Sequence, residues 1–210
     1  MMQITVVNHP LIKEKMTRLR AEKTESPMFR QLLDQIAQLE LFEVTKDFPV
    51  REVPVKTPLA TTTGYALDIS SITVVPILRA GLGFLDAVLD LIPEANAGHI
   101  GLYRDEKTLK PIEYYCKMPG DKDAQVIVID PMLATGGSGA AAITMLKEKG
   151  FHNIRFMCLV AAPEGVEVLN KEHPEVKIYA AALDDHLNEH GYIVPGLGDA
   201  GDRVFGTVVK

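Results

Sequence analysis

The sequence predicts an α/β fold, in which a doubly wound parallel sheet carries helices on both faces. Four apolar runs predict the strands of this sheet: Ile72–Leu78, Val126–Ile129, Asn153–Val160 and Val176–Leu183. Runs that are apolar at consecutive positions are typical of strands buried on both faces. Helical patterns alternate with these strands through short connections, and this alternation favours parallel pairing.

Composition limits the class of protein. A length of 210 residues suits one domain over residues 1–210, and a net charge of −6 disfavours a general nucleic-acid-binding surface. Cys116 and Cys158 form no metal-ligand spacing, and Cys158 is expected in the core. The amino terminus lacks the pattern of a signal peptide and no apolar run reaches transmembrane length, so we expect a cytoplasmic protein without a membrane segment.

Residues 10–48 predict two amino-terminal helices that act as scaffold. Apolar residues recur at helical spacing in both halves, and His9 is expected to make a structural turn before the first helix. Ser26 is predicted as the N-cap of the second helix, with Pro27 at the first helical position.

The next segment, residues 50–63, alternates polar and apolar positions and contains prolines. This pattern predicts edge or hairpin strands outside the main sheet. Such an arm is either a dimer contact or a plain surface hairpin.

The strand Ile72–Leu78 is followed by Arg79, by a glycine-containing turn and by a predicted helix from Phe84 to Ile92. A lone arginine after an apolar strand is usually a surface cap. At the start of a helix, however, Arg79 can also mark an anion site.

Residues 98–106 predict a strand that ends in a charged turn containing Arg104. Taken alone, such a charged turn is usually just solvated. The polar segment that follows, up to Gly120, is long for a plain connection, so residues 104–120 are predicted to form a flexible lid hairpin.

The most informative segment is residues 125–139. A buried strand ends at Asp130, a loop of glycine and hydroxyl residues follows at 135–138, and a helix is predicted from Ala140 to Lys149, where Gly150 stops it. This order of elements suits phosphate binding by backbone N–H groups and a helix N-terminus. The loop has no lysine, which argues against a nucleoside-triphosphate-binding P-loop; an ordinary strand-to-helix turn remains the alternative.

The candidate residues share one location. Arg79, Arg104, Asp130 and Thr135 all follow predicted strand ends. Ligands of open parallel sheets bind at the carboxyl ends of the strands. We therefore expect these four residues at one edge of the sheet.

The last part of the chain, residues 184–206, is rich in glycine and acidic residues. Asp184, Asp185, His186 and His190 have side chains of metal-ligand type, but their spacing lacks a known signature. A calcium loop at residues 198–202 is weaker still, and an irregular surface loop is the remaining interpretation.

Four segments, in chain order, resemble motifs of the type I phosphoribosyltransferases, and in particular of the uracil phosphoribosyltransferases. They are Pro-Ile-Leu-Arg-Ala-Gly-Leu-Gly (76–83), Tyr-Arg-Asp-Glu (103–106), Asp-Pro-Met-Leu-Ala-Thr-Gly-Gly-Ser (130–138) and Tyr-Ile-Val-Pro-Gly-Leu-Gly-Asp-Ala-Gly-Asp-Arg (192–203). The resemblance covers nearly the whole chain. Pro131 replaces the second acid of the general family pattern, and this replacement narrows the resemblance to the uracil enzymes.

The resemblance implies the phosphoribosyltransferase type I fold with a carboxyl-terminal hood over the base, and it implies conversion of uracil and phosphoribosyl pyrophosphate (PRPP) to UMP and diphosphate. Catalytic roles are implied for Arg104, Asp130 and Asp199. The implied PRPP ligands are Arg79, Arg104, Asp130, Pro131, Met132, Leu133, Ala134, Thr135, Gly136, Gly137, Ser138 and Asp199. The implied uracil ligands are Tyr192, Ile193, Gly198, Asp199 and Ala200.

The resemblance further implies Mg²⁺ bound with the diphosphate rather than at a metal site of the protein. It implies a homo-oligomer, dimer or tetramer, with GTP as an allosteric activator in some members. A cis peptide is expected in the loop that contains Gly81. Two other functions stand as alternatives: a nucleotide-sensing regulator that binds RNA on the same fold, disfavoured by the acidic balance, and a purine or orotate transferase, disfavoured by Pro131 and the carboxyl-terminal motif.

Overall fold

The structure is a computed structural model in which residues 3–104 and 111–207 are described. Its strands are β1 (Thr5–Val6), β2 (Val50–Lys56), β3 (Thr61–Leu67), β4 (Ile72–Leu78), β5 (Asn96–Ala97), β6 (His99–Arg104), β7 (Pro111–Lys117), β8 (Gln125–Ile129), β9 (Met132–Leu133), β10 (Ile154–Ala161), β11 (Lys177–Leu183), β12 (His186–Leu187) and β13 (Ile193–Val194). Its helices are α1 (Pro10–Arg20), α2 (Ser26–Thr45), α3 (Leu85–Leu91), α4 (Gly137–Glu148), α5 (Pro163–Glu172) and α6 (Ala200–Phe205). The α/β fold with a mostly parallel central sheet is confirmed.

The central sheet has the strand order β1-β11-β10-β8-β4-β6-β7. The strands from β1 to β6 along this order pair in parallel, and β7 returns antiparallel to β6. Two short strands extend the sheet, with β5 beside β4 and β9 beside β10. The strands β8, β4 and β6 are therefore neighbours, and their carboxyl ends meet at the same edge.

Helices cover both faces of the sheet, and strand alternation divides the core between them. Ile127 and Ile129 of β8 point into a cluster with α1, α2, α3 and α6. Val126 and Val128 point to the other face, into a cluster with α4 and α5. Burial on both faces explains why the central strands are apolar at consecutive positions. Cys158 lies in this core, as predicted.

A two-stranded hairpin of β2 and β3, residues 50–67, lies outside the central sheet, as the alternation and the prolines predicted. We call this hairpin the arm. His9 also takes its predicted structural role, since its Nδ1 accepts a hydrogen bond from the Leu11 N–H and caps α1.

Three helix starts differ from the sequence predictions. The N-cap of α2 is Glu25, not Ser26, which lies inside the helix. The segment after Arg79 first forms a 3-10 helix over Ala80–Phe84, and only then α3. Helix α4 begins at Gly137, not at Ala140, because glycines are tolerated in a first turn, where the N–H groups have no partner within the helix. The expected cis peptide is confirmed and joins Leu78 to Arg79.

The carboxyl-terminal segment is more regular than predicted. Strands β12 and β13 form a small antiparallel hairpin, and α6 follows Asp199. Residues 105–110 of the predicted lid lie outside the described residues. Within the predicted range 104–120, β7 forms a strand that pairs antiparallel with β6, and β6 is the strand predicted over residues 98–106. In the ranges that are described, no helix combines the length and the apolar character needed to cross a membrane.

Candidate active site

The carboxyl edge of the sheet brings together three of the four residues that were predicted to meet there, and Thr135 lies in the loop between β9 and α4. Arg79 directly follows β4, Asp130 directly follows β8, and Arg104 is the last residue of β6. Because β4 lies between β8 and β6, these three positions are adjacent along one edge. The prediction from strand ends is confirmed for the backbone positions; the Arg104 side chain lies outside the described part.

The predicted phosphate loop runs from Asp130 through β9 into α4. Gly136 is the N-cap of α4 and has a φ of +80°, a conformation that favours glycine. A Cβ at Gly136 would also lie 2.8 Å from the carbonyl oxygen of Gly165 in α5. The loop therefore needs glycine here for its backbone conformation and for its close contact with α5. The first N–H groups of α4, at Gly137 and Ser138, have no partner within the helix and can bind an anion.

Two of the residues predicted to bind PRPP have side chains that face the interior. Leu133 is 1% exposed and belongs to the core beneath α4 and α5. Pro131 is also buried, and its carbonyl accepts hydrogen bonds from the N–H groups of Leu159 and Val160 at 3.1 Å and 3.0 Å. Both residues hold the loop against β10, and neither lines the cavity at this edge of the sheet.

This cavity, of about 250 Å³, joins the phosphate loop to the carboxyl-terminal segment. From the phosphate loop it is lined by Asp130, Met132 and Ala134. From the carboxyl-terminal segment it is lined by Gly191, Tyr192, Ile193, Gly198, Asp199, Ala200 and Gly201, and Ala80 of the 3-10 helix completes the wall. All five residues predicted to bind uracil line the same cavity as the acid at the end of β8.

Asp199 has a structural contact at this cavity. It is the N-cap of α6, and its Oδ1 accepts a hydrogen bond from the Asp202 N–H at 2.9 Å. An N-cap carboxylate satisfies an otherwise unpaired N–H and lies near the positive end of the helix. The cap therefore holds the Asp199 carboxylate at the cavity wall.

The pKa of the Asp130 carboxyl is strongly shifted by its position at the cavity. Desolvation by the surrounding protein raises its pKa from 3.8 to about 7, partly offset by a hydrogen bond from the backbone N–H of Met132. A carboxyl whose pKa lies near neutrality is typical of functional sites. Asp130 can therefore change its protonation state when a charged ligand enters.

Arg79 does not line the cavity. Its side chain is exposed, and its Cζ lies 6.0 Å from the centre of the Phe205 ring in α6, at the limit of a cation–π contact. The guanidinium therefore lies outside the cavity, although the next residue, Ala80, lines it.

The interpretation of Asp184 as a metal ligand is not supported. Its carboxylate is engaged by Arg20 at 2.6 Å and 2.7 Å. In the described ranges, no group of three or more His, Cys, Asp or Glu side chains could hold a metal ion. The pairing with Arg20 was missed because the two residues are 164 positions apart, and sequence alone does not pair distant charges.

Sequence reasoning also left out Ala80, Gly191 and Gly201, which line the cavity. All three lie within or next to the motifs at residues 76–83 and 192–203. Their position beside assigned residues was the available signal. Their contribution is main chain and small size, which leaves no chemical mark in a sequence.

Comparison with known proteins identifies relatives along the whole chain. A family model described as uracil phosphoribosyltransferase matches residues 6–207. A uracil phosphoribosyltransferase from Clostridium beijerinckii is 59% identical over 208 residues, which covers 99% of this chain and 100% of that protein. Among solved structures, a protein from Aquifex aeolicus aligns with a TM-score of 0.92 at 36% identity, over 99% of this chain and 100% of that one. A hypoxanthine-guanine phosphoribosyltransferase from Bacillus anthracis shares the fold with a TM-score of 0.51 at 14% identity, over 73% of this chain and 78% of that one.

Proposed function

The chain belongs to the uracil phosphoribosyltransferase family, and we propose that it transfers the phosphoribosyl group of PRPP to uracil, giving UMP and diphosphate in pyrimidine salvage. One observation carries this proposal: a single cavity is lined by the acid at the end of β8 and by the carboxyl-terminal residues assigned to the base. The two halves of UMP, ribose phosphate and base, would join at this cavity.

The phosphate loop would bind the ribose 5-phosphate. The backbone amides of residues 134–138 and the hydroxyls of Thr135 and Ser138 can donate hydrogen bonds to it, and the N-terminus of α4 contributes partial positive charge. Asp130 lies at the entrance to this loop and lines the cavity, so its carboxylate suits the ribose hydroxyls. The buried Pro131 offers no acid for this purpose.

The diphosphate would leave toward the edge formed by β4 and β6. Arg79 is exposed and directly precedes Ala80, which lines the cavity, and Arg104 ends the neighbouring strand. Arginine suits this task because its planar guanidinium binds two phosphate oxygens at once.

Uracil would be recognised mainly by backbone. Ile193, Gly198 and Ala200 line the cavity with main-chain groups that can pair with the N3–H and the carbonyl oxygens of the ring, and the exposed Tyr192 can cover its face. Cytosine would place an amino group against a donor, and unpaired buried groups of this kind are strongly disfavoured.

Bond breakage at ribose C1 would build positive charge on the sugar. The carboxylates of Asp130 and Asp199 line the cavity and can stabilise that charge. Closure of the predicted lid, residues 104–120, over the site would exclude water, which otherwise hydrolyses PRPP.

The cavity also suits Mg²⁺ that arrives with PRPP. In phosphate-transfer sites this ion usually binds one or two carboxylates together with phosphate oxygens. Asp130 and Asp199 are the residues that would hold it, since both carboxylates line the cavity. When bound, the ion would neutralise charge on the leaving diphosphate.

The arm supports the further proposal of a homo-oligomer. It carries exposed apolar side chains, among them Leu59 at 98%, Tyr65 at 70% and Val50 at 57%. Apolar groups on a protruding hairpin are typical of a protein interface. Sedimentation of the protein would measure the oligomer. We also propose GTP as an allosteric activator, which initial rates of UMP formation with and without GTP would test. The comparisons do not support the RNA-binding regulator, and we propose a cytoplasmic enzyme without a nucleic-acid partner.

The decisive experiment measures initial rates of nucleotide formation from PRPP with uracil, cytosine, hypoxanthine and orotate in parallel. We expect UMP from uracil and only background rates with the other three bases. Gly136→Val should abolish PRPP binding, because the side chain would meet α5 and strain the loop. Comparable rates with cytosine or hypoxanthine, or no UMP at all, would show that the proposed function is wrong.

A further inference from the structure

A bidentate ion pair lies behind the base-binding part of the cavity. Arg20, the last residue of α1, donates from Nη1 and Nη2 to the Asp184 carboxylate at 2.7 Å and 2.6 Å. Asp184 directly follows β11, and its side chain is only 6% exposed. Paired arginine and carboxylate groups of this geometry are rigid and directional.

Both partners also hold the same residue of the carboxyl-terminal segment. Arg20 Nη1 donates to the carbonyl oxygen of Gly196 at 2.8 Å, and the Gly196 N–H donates to Asp184 Oδ2 at 2.8 Å. The peptide groups on both sides of Gly196 are therefore fixed by one ion pair.

A second arginine holds the next residue. Arg203 of α6 donates from Nη1 to the carbonyl oxygen of Leu197 at 3.0 Å, and from Nη2 to that of Ala21 at 2.7 Å. Its guanidinium also lies 4.6 Å from the centre of the Phe29 ring. Arg203 thus connects the segment around Gly196 and Leu197 to the loop between α1 and α2.

The turn held by these side chains, residues 195–198, is also anchored by Leu197, which is 5% exposed and packs in the core. Gly196 and Gly198 have φ values of +59° and +79°, and Pro195 is exposed. A Cβ at Gly198 would meet no described atom within 4 Å, whereas one at Gly196 would lie 2.1 Å from the carbonyl oxygen of Ile193. Hydrogen bonds from the clamping side chains to the main chain therefore act together with the buried Leu197 to set the path of the turn.

This turn connects the residues that face the base. Ile193 precedes it, Gly198 ends it, and Ala200 follows within α6; all three line the cavity. We infer that Arg20, Asp184 and Arg203 form a clamp that positions the base-binding turn, and that they determine affinity and selectivity for the base without touching it. The inference rests on the proposed function, because it specifies how the backbone groups that pair with uracil are held in position.

If the clamp positions the turn, its loss should change KM for uracil and leave KM for PRPP unchanged. A looser turn misplaces the backbone groups that pair with uracil but leaves the phosphate loop unchanged, since that loop is held by α5 and β10. In Asp184→Asn the carboxamide can still accept from the Gly196 N–H, but it cannot form the bidentate pair with Arg20. Arg20→Lys keeps the charge and loses the planar fork.

The experiment compares wild type, Asp184→Asn and Arg20→Lys, with Asp47→Asn as the matched control. Asp47 forms ion pairs with Arg155 and Lys177 at the opposite, amino-terminal edge of the sheet. For each protein one measures KM for uracil, KM for PRPP, kcat, the uracil-to-cytosine rate ratio and the thermal unfolding midpoint.

We expect the two clamp variants to raise KM for uracil by about tenfold, the effect of one hydrogen bond's free energy, and to lower the uracil-to-cytosine ratio. KM for PRPP should stay near the wild-type value, and Asp47→Asn should leave all kinetic constants unchanged. If the clamp variants change KM for uracil no more than the control, or raise both KM values together, the clamp is only structural and the inference is wrong. If one variant fails to fold, the other decides. A wild-type protein that forms no UMP would instead refute the proposed function itself, and the inference with it.

Discussion

Gly165 in α5 lies directly against the carbonyl oxygen of Ala134 in the phosphate loop. A Cβ added to Gly165 would come within 2.4 Å of this oxygen and within 2.7 Å of the carbonyl oxygen of Leu133. Both neighbours are backbone atoms, which cannot rotate away as a side chain can. The absence of a side chain at Gly165 therefore lets α5 support the phosphate loop from behind.

Gly165→Ala should push the phosphate loop away from α5. We expect KM for PRPP to rise by about 100-fold, because misplacement of a binding loop by about 1 Å has effects of this order. The free energy of unfolding should fall by about 1–3 kcal/mol. The matched control is Glu167→Ala, at an exposed position of the same helix. An unchanged affinity for PRPP in Gly165→Ala would contradict the supporting role of this contact.

Arg79 provides a test of the diphosphate assignment. Its exposed guanidinium lies 6.0 Å from the centre of the Phe205 ring and outside the lining of the cavity. Arg79→Ala should therefore raise KM for PRPP by about tenfold or more, while the uracil-to-cytosine rate ratio stays constant. Arg18→Ala, at an exposed arginine of α1 that pairs with Glu14, is the control and should have no effect. A variant that begins to accept cytosine would place Arg79 at the base instead.

Asp130 links stability to pH. In the folded protein its pKa is about 7, against an ordinary value of 3.8. Between these values the folded protein holds a proton that the unfolded chain releases. Stability from this group is therefore fully present below about pH 4, falls as the pH rises toward 7, and stays constant above that.

Asp130→Asn should remove the loss of folding stability that Asp130 causes as the pH rises from about 4 to 7. We expect its free energy of unfolding to exceed that of wild type by about 1–2 kcal/mol around pH 8, a value reduced because the carboxyl is partly open to water. The difference should vanish around pH 4 in denaturant titrations at both pH values. Activity should fall in the variant, because the amide carries no charge to stabilise the sugar cation. A variant less stable than wild type around pH 8 would contradict the raised pKa.

The fold was predictable because its signals are local. The runs in β4, β8, β10 and β11 are apolar at consecutive positions, and their short length and β-branched residues favour strands covered on both faces. Strand ends then located Asp130 and Arg79 at one edge without knowledge of any contact. The β-branched residues and the acid after β8 needed no tertiary information to be interpreted.

The parts that were missed depend on tertiary contacts. Helix α6 has only six residues and includes a glycine, so propensity alone did not reveal it. Asp199 at its N-cap was the available signal, but the same residue also suits a turn. Arg20 and Asp184 are brought together by the fold, and nothing near either residue in the chain predicts the other.

Glu40 is a buried acid without a partner for its charge among the described residues, unlike Asp184, which is paired with Arg20. It lies in α2 with 0% exposure, and neither carboxylate oxygen has a hydrogen-bond partner among the described residues. Burial raises its pKa well above the ordinary value of 4.5. Stability from this group is therefore present at acid pH and is lost as the pH rises above about 4.5 toward the folded value.

Replacing Glu40 with an apolar residue of similar shape should therefore stabilise the protein. We expect Glu40→Met to raise the free energy of unfolding by about 2–3 kcal/mol near neutral pH, with a smaller gain around pH 4. Denaturant titrations at both pH values measure this gain, and kcat and KM should not change because Glu40 does not line the cavity. Glu14→Met, at a side chain that is 53% exposed, is the control and should give no such gain. If Glu40→Met destabilises the protein instead, the carboxyl has a polar partner in the folded state, and its isolation in the core is refuted.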